Sequence, residues 1–172
     1  STPKIHFNKK TFSGRPFLYF CYGASVTEVT IDTLTGENII DRVDILQDAG
    51  KAINPVLELG QIEGGFVQGQ GWLTMEEVNW KPNGQITTTS PSTYKIPASS
   101  DIPKIFNVEI FKQGKNKENV VNKSKTTGEP PLMLAMSVFY AIKDAVASVG
   151  KYKVIPKLDA PATPEKILMS LN

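Results

Sequence analysis

Five glycines crowd one helix-forming stretch of this 172-residue chain: Gly60, Gly64, Gly65, Gly69 and Gly71. The stretch opens on Asn54-Pro55, a favoured N-cap followed by a proline tolerated at the first helical position. The predicted helix runs from Val56 to about Glu77. Each interior glycine costs roughly 1 kcal/mol against alanine. A helix that keeps five of them must let something come close. Gly60, Gly64 and, roughly, Gly71, with Val67 between them, are expected to share a face. Such a face admits either another backbone or a flat ligand.

The remainder reads as mixed strand and helix. Phe17–Asp32 is rich in aromatic and β-branched residues, with Val29 and Ile31 on one face and Glu28 and Thr30 on the other. It predicts a strand, kinked at Gly23. After the turn at 33–36, residues 39–47 predict a second strand with Val43 and Ile45 on one face, completing a β-hairpin. Lys81-Pro82-Asn83-Gly84 predicts a turn between short strands at 78–80 and 85–89. Residues 90–103 predict a loop pinned by Tyr94 and Ile96, and 105–112 alternate as a strand. Leu132, Ala135, Met136, Phe139, Ile142, Val146 and Val149 predict a helix over 132–149, stopped by Gly150. Thr163-Pro164 predicts a short helix over 165–171. With no strict β–α–β rhythm, the expected class is α+β. Residues 1–16 read as an extended segment before one domain over 17–172. The opening lacks an initiator Met and reads as the middle of something longer.

Composition excludes several chemistries. With 19 Lys+Arg against 17 Asp+Glu, the net charge of +2 gives no argument for nucleic acid. Cys21 is the only cysteine, so there is no internal disulfide and no Cys-x-x-Cys cage. One His and one Cys are too few for a zinc site. A Ser-His-Asp or Cys-His enzyme would depend on His6 alone. No apolar run is expected to reach the roughly 20 residues of a membrane span. No basic-then-apolar leader opens the chain, and the expected compartment is the cytoplasm.

Two segments could carry chemistry. Gly64-Gly65-x-x-x-Gly69-x-Gly71 matches neither the P-loop nor the dinucleotide fingerprint. It leaves a glycine-bared helix with three amides, Gln61, Gln68 and Gln70, able to meet a heterocycle edge or simply water. Gly128-Glu129-Pro130-Pro131 is more informative. A residue before proline is pushed out of the α region, so Glu129 and Pro130 are expected extended, with the helix starting near Pro131. That aims Glu129 at a helix start with little backbone freedom. A general base needs such aim, and an ordinary acidic N-terminal residue has it too. Gly128 allows an unusual torsion or the close approach of a ligand. Asp41, Asp44 and Asp48 read as a solvated strand face. Lys115, Lys117, Lys123 and Lys125 read as a solvated loop.

Longer runs carry a resemblance. GQIEGGFVQGQGWLTMEE (60–77), PSTYKIP (91–97) and SKTTGEPPLMLAMSVFYAIKDAV (124–146) occur in order with YFCYGASVTEVTID (19–32), INP (53–55) and DAPATPEKI (159–167). From Phe17 to Leu171 the chain resembles the C-terminal part of the molybdopterin-binding subunit of the molybdenum hydroxylases. PSTYKIP inclines it to their xanthine dehydrogenase branch over aldehyde oxidases and other N-heterocycle hydroxylases. The resemblance implies part of a molybdenum-cofactor-binding domain. Glu129 matches the family's catalytic glutamate, the base toward a hydroxyl on molybdenum. The activated oxygen attacks an electron-poor carbon, of hypoxanthine or xanthine in that branch, while a hydride passes to a sulfido ligand. Gln61 matches a glutamine that hydrogen-bonds the pterin of molybdopterin, which makes the glycine-bared helix a cofactor wall. Thr127 and Gly128 match the substrate pocket, where Thr127 departs from an apolar residue. No metal ligand is implied from this chain.

The resemblance also implies what lies elsewhere. The residues that sandwich a purine belong to the remaining part of the molybdenum subunit. The 2Fe-2S clusters and FAD belong to partner domains or subunits. Implied partners are those pieces and a purine or other N-heterocycle substrate, with no nucleic acid and no membrane. Alone, the chain is expected to be inactive. The second reading is a separately folded, non-catalytic assembly module. The intact GEPP motif and Gln61 favour the catalytic reading.

Overall fold

Alternation along two chain segments builds the sheet. The computed structural model describes residues 5–171. A short antiparallel pair, β1 (Phe7–Asn8) with β2 (Ser13–Gly14), precedes the main body in sequence. The expected hairpin forms as β3 (Gly23–Ile31) and β4 (Asn38–Gln47), with a register shift between Glu28 and Val29. A strand's side chains point alternately to opposite faces. Val43 and Ile45 accordingly turn inward, at 0% and 4% exposure, and Val29 and Ile31 pack against the same core. β3 starts at Gly23 rather than Phe17. Phe17 and Phe20 stay exposed, their rings 6.0 Å apart. On the outer face Asp41 pairs with Lys104 at 2.7 Å, and Arg42 with Asp44 at 2.6 Å. Hydrogen bonds from Arg42 and Asn107 hold the Asp44 carboxyl at about 2, so it stays an anion on a solvated face.

β5 (Ile105–Ile110) pairs with β4 in parallel, giving the order β3-β4-β5. Parallel neighbours need a long crossover, and α1 (Pro55–Thr74) with the loop after it supplies one. α1 begins as expected, with Asn54 Oδ1 accepting from the Leu57 N–H at 3.3 Å. Asn54→Ala is expected to cost about 1 kcal/mol, lowering the unfolding midpoint by roughly 2–4 °C. An unmoved midpoint would discard the cap. α1 stops at Thr74, short of Glu77, where the Met75 and Glu76 N–H groups both donate to the Gly71 carbonyl at 2.9 Å. The strands expected at 78–80 and 85–89 shrink to one bridge, Trp80 with Ile86. Tyr94 pins the following loop through its hydroxyl, which donates to Glu76 at 2.5 Å, while Ile96 is 59% exposed.

Helices cover the sheet's inner face. Pro130–Ala135 is a 3-10 segment and α2 spans Met136–Val149, so the α-helix starts four residues later than the Leu132 expected from the stripe. Tandem prolines remove two backbone donors at the start, and the turn stays tight. Hydroxyls on β3 fix the junction: Ser25 donates to the Leu134 carbonyl and Thr27 bonds Ser137, both at 2.7 Å. α2 contributes Val138, Ile142 and Val146 to the core, α1 contributes Ile62, Phe66 and Leu73, and α3 (Pro164–Ser170) contributes Ile167. Contrary to expectation, Pro130–Val149 is long and apolar enough to cross a membrane by length and composition. Its inward residues nonetheless pack in this core, and Lys143 and Asp144 interrupt it. The class is α+β.

Candidate functional site

The glycines of α1 divide into two faces. Gly65 and Gly69, one turn apart, meet the 3-10 segment. A Cβ at Gly69 would lie 2.3 Å from the Leu132 carbonyl oxygen and 2.8 Å from the Ala135 Cβ. A Cβ at Gly65 would lie 2.7 Å from the Gly128 carbonyl oxygen. Gly60 and Gly64 are exposed, and nothing lies within 4 Å of a Cβ built on either. Gly71 belongs to neither face, since its Cβ would strike Pro97 and Glu76 at 2.5 Å. The face expected from Gly60, Gly64 and Gly71 is therefore corrected. Packing takes Gly65 and Gly69, and the open stripe keeps Gly60 and Gly64.

The amides divide the same way. Gln61 and Gln68 are exposed beside the open glycines. Gln70 is buried on the opposite side, where its amide donates to the Asp101 carbonyl at 2.5 Å. Close packing at Gly65 brings the GEPP segment to Gln61, whose Oε1 lies 3.0 Å from the Cβ position of Gly128. Gly128 needs no left-handed torsion, and its lack of a side chain leaves room for that amide.

Glu129 follows directly. Its backbone is αR, with φ −93° and ψ −41°, not extended. Steric conflict before a proline disfavours this region without closing it, and a turn from the Leu132 N–H to the Glu129 carbonyl at 3.1 Å holds it. Pro130 likewise lies inside the 3-10 segment rather than extended. The Glu129 side chain is exposed and caps nothing. Among the described residues its carboxylate has no hydrogen-bond or ion-pair partner. Thr127 is buried, at 9% exposure, and Gly128 half-buried. Gln61 thus meets Gly128, with the exposed Glu129 next along the chain and the buried Thr127 before it.

The segment leading to Glu129 is firmly held. The Lys125 N–H donates to the Ala49 carbonyl at 2.8 Å, and Lys51 donates to the Lys123 carbonyl at 3.1 Å. Gly50 between them has φ +64°, where an L side chain is strained, and a Cβ there would lie 2.5 Å from the Lys123 carbonyl oxygen. Asp48 and Lys125, both expected on solvated stretches, are instead buried and paired at 2.5 Å. Asp48 Oδ1 also accepts from the Gly50 N–H at 2.8 Å. Lys125 Nζ lies 5.3 Å from the centre of the Tyr22 ring. Thr126 bonds the Tyr19 hydroxyl at 2.8 Å and accepts from the Cys21 thiol at 3.3 Å. Burial pushes the Cys21 thiol above its ordinary pKa, which makes it a structural donor rather than a nucleophile. Asp48 and Lys125 are 77 residues apart, and spacing carries no signal for such a pair.

Comparison with known proteins points one way. The family model described as molybdopterin cofactor-binding domain matches residues 1–103. Xanthine dehydrogenase/oxidase of Felis catus is 47% identical over 96% of this chain, which spans 13% of that protein's length. Aldehyde oxidase 1 of Bos taurus is 45% identical over 95% of this chain and 12% of its own length. The crystal structure of quinoline 2-oxidoreductase from Pseudomonas putida 86 superposes with a TM-score of 0.72 at 31% identity, over 83% of this chain and 17% of that one.

Proposed function

This chain belongs to the molybdopterin cofactor-binding domain family, and from that premise we propose that it supplies the base and one cofactor wall of a xanthine dehydrogenase-type molybdenum hydroxylase. One juxtaposition supports this reading: Gln61 Oε1 lies 3.0 Å from the Cβ position of Gly128, the residue before Glu129, whose exposed carboxylate has no partner among the described residues.

The residues fit the pterin group on two observations. Among the described residues the Gln61 amide has no hydrogen-bond partner. The stripe at Gly60 and Gly64 leaves open space for a flat ring. An amide presents both donor and acceptor to a heterocycle edge. When bound, the molybdenum cofactor supplies the two-electron oxidation of an electron-poor ring carbon. Glu129 then accepts, at a carboxylate oxygen, the proton of the oxygen nucleophile. Its αR backbone and the buried Pro131 fix the direction of approach. Gly128 keeps the wall thin enough for Gln61 and substrate to share it, and Thr127 backs the pocket. Iron–sulfur and FAD groups lie in partner domains, as does the rest of the molybdenum subunit. A cytoplasmic setting suits the free thiol of Cys21.

Gln61→Ala is expected to weaken cofactor retention by roughly 1–3 kcal/mol. Competition for molybdopterin between wild type and variant reads this directly, and equal molybdenum occupancy would remove Gln61 from the wall.

The deciding experiment is substrate turnover by the native assembly containing this chain, normalised to bound molybdenum. Oxidation of xanthine supports the proposal. Bound molybdenum with turnover of an aldehyde but not of xanthine transfers the chain to the aldehyde oxidase class. An assembly that binds no molybdenum makes the chain a non-catalytic assembly module.

A further inference from the structure

We propose that the buried Asp48–Lys125 ion pair is the positioning element for Glu129; this inference rests on the reading of Glu129 as base. A carboxylate with no side-chain partner takes its aim from its backbone. That backbone is clamped on both sides. Downstream stand the buried Pro131 and the turn from Leu132 to Glu129. Upstream, Lys125 lies four residues before Glu129 and is fixed twice, by its Nζ on Asp48 and by its N–H on the Ala49 carbonyl. Asp48 is fixed in turn by the Gly50 N–H, and its Oδ1 occupies the space that a side chain at Gly114 would take.

Stability alone does not account for such a pair. Desolvating two charges offsets most of their attraction, and neutral residues of similar volume often do as well. A buried pair does select one register between two segments. Here it sets residues 48–51 against 123–125, and only Thr126, Thr127 and Gly128 separate that register from the base. A small misplacement of a reacting group can cost about a hundredfold in rate. The Lys125 and Asp48 side chains are buried against each other, 6% and 11% exposed. They act through the chain that carries Glu129.

The test uses the molybdenum-loaded assembly. The double variant Asp48→Asn/Lys125→Met removes both charges together and leaves no orphaned ion. The expected result is a kcat per molybdenum lower by about tenfold or more, with KM within about twofold of wild type. Amide hydrogen exchange at Lys125 is expected to rise by about tenfold, while exchange in the middle of α2 stays unchanged. Lys125→Arg, which keeps the pair, should recover most of the lost kcat. A role in stability alone would lower the yield of loaded enzyme and leave kcat per molybdenum intact, and that outcome overturns the proposal. So does faster exchange at Lys125 with kcat unchanged, or unchanged exchange. If the double variant fails to assemble, Asp48→Asn alone keeps the shape and the acceptor for the Gly50 N–H, while its amide nitrogen cannot accept from Lys125 and the pair is broken. An undiminished kcat in that variant also overturns the proposal. Glu129→Gln is run beside these: if it retains turnover, the base assignment has failed. If it loses turnover while the pair variants do not, the positioning role has failed.

Discussion

Glu129→Gln, in the assembled and molybdenum-loaded enzyme, is expected to lower kcat by about 10²–10⁴-fold, the usual contribution of a positioned general base. The amide has nearly the carboxylate's shape and cannot take up the proton. Little else should change. Glu129 is exposed, caps no helix, and has no partner among the described residues that substitution would strand. Molybdenum content and unfolding midpoint should match wild type, so the loss reads proton acceptance alone. A kcat per molybdenum equal to wild type would end the assignment of Glu129 as base.

Gly69→Ala is expected to destabilise the protein by about 3 kcal/mol, near the upper end of the range for overpacking a tight interior. The added methyl would sit 2.3 Å from the Leu132 carbonyl oxygen and 2.8 Å from the Ala135 Cβ. The oxygen belongs to backbone, so relief requires moving the 3-10 segment away from α1. The same exchange at Gly60 or Gly64 should do the opposite. Nothing opposes the methyl there, and each helix position gains up to about 1 kcal/mol of propensity. In the full assembly these two variants should lose molybdenum occupancy, because their methyls would occupy the space left for the cofactor. Denaturation midpoints and metal content for the three variants check both halves. A Gly69→Ala midpoint at or above wild type would refute the packing role. Full molybdenum occupancy in Gly60→Ala and Gly64→Ala would refute the wall.

Local chemistry made some of this fold readable and left other parts hidden. The hairpin was legible because alternation is a property of neighbours, and Val43 and Ile45 face inward as their spacing requires. The start of α1 was legible because Asn54-Pro55 is a local signal. Which glycines of α1 would be covered was not legible, since that depends on where residues 128–135 return. The parallel pairing of β5 was equally hidden, because alternation alone does not give strand direction. Glu129 stood out through its prolines, yet its αR backbone followed from the turn that Leu132 closes. Gln61 entered through resemblance, and its closeness to Gly128 needs the tertiary packing of Gly65. Asp48 and Lys125 each look like ordinary surface residues, and only the folded chain takes both out of water.

The parallel partner of β4 has a consequence for biosynthesis. Asp44 and Asn107, opposite each other in register, are 63 residues apart along the chain. Loop closure over that span must precede any gain from the pairing, and such non-local contacts fold slowly. As the nascent chain leaves the ribosome, β3, β4 and α1 emerge well before β5. During that interval β4 presents an unpaired edge rich in Val and Ile, the kind of surface that recruits other strands. The interval closes when residues 105–110 arrive, so misassembly of this protein is expected to depend on the pace of translation through residues 75–104.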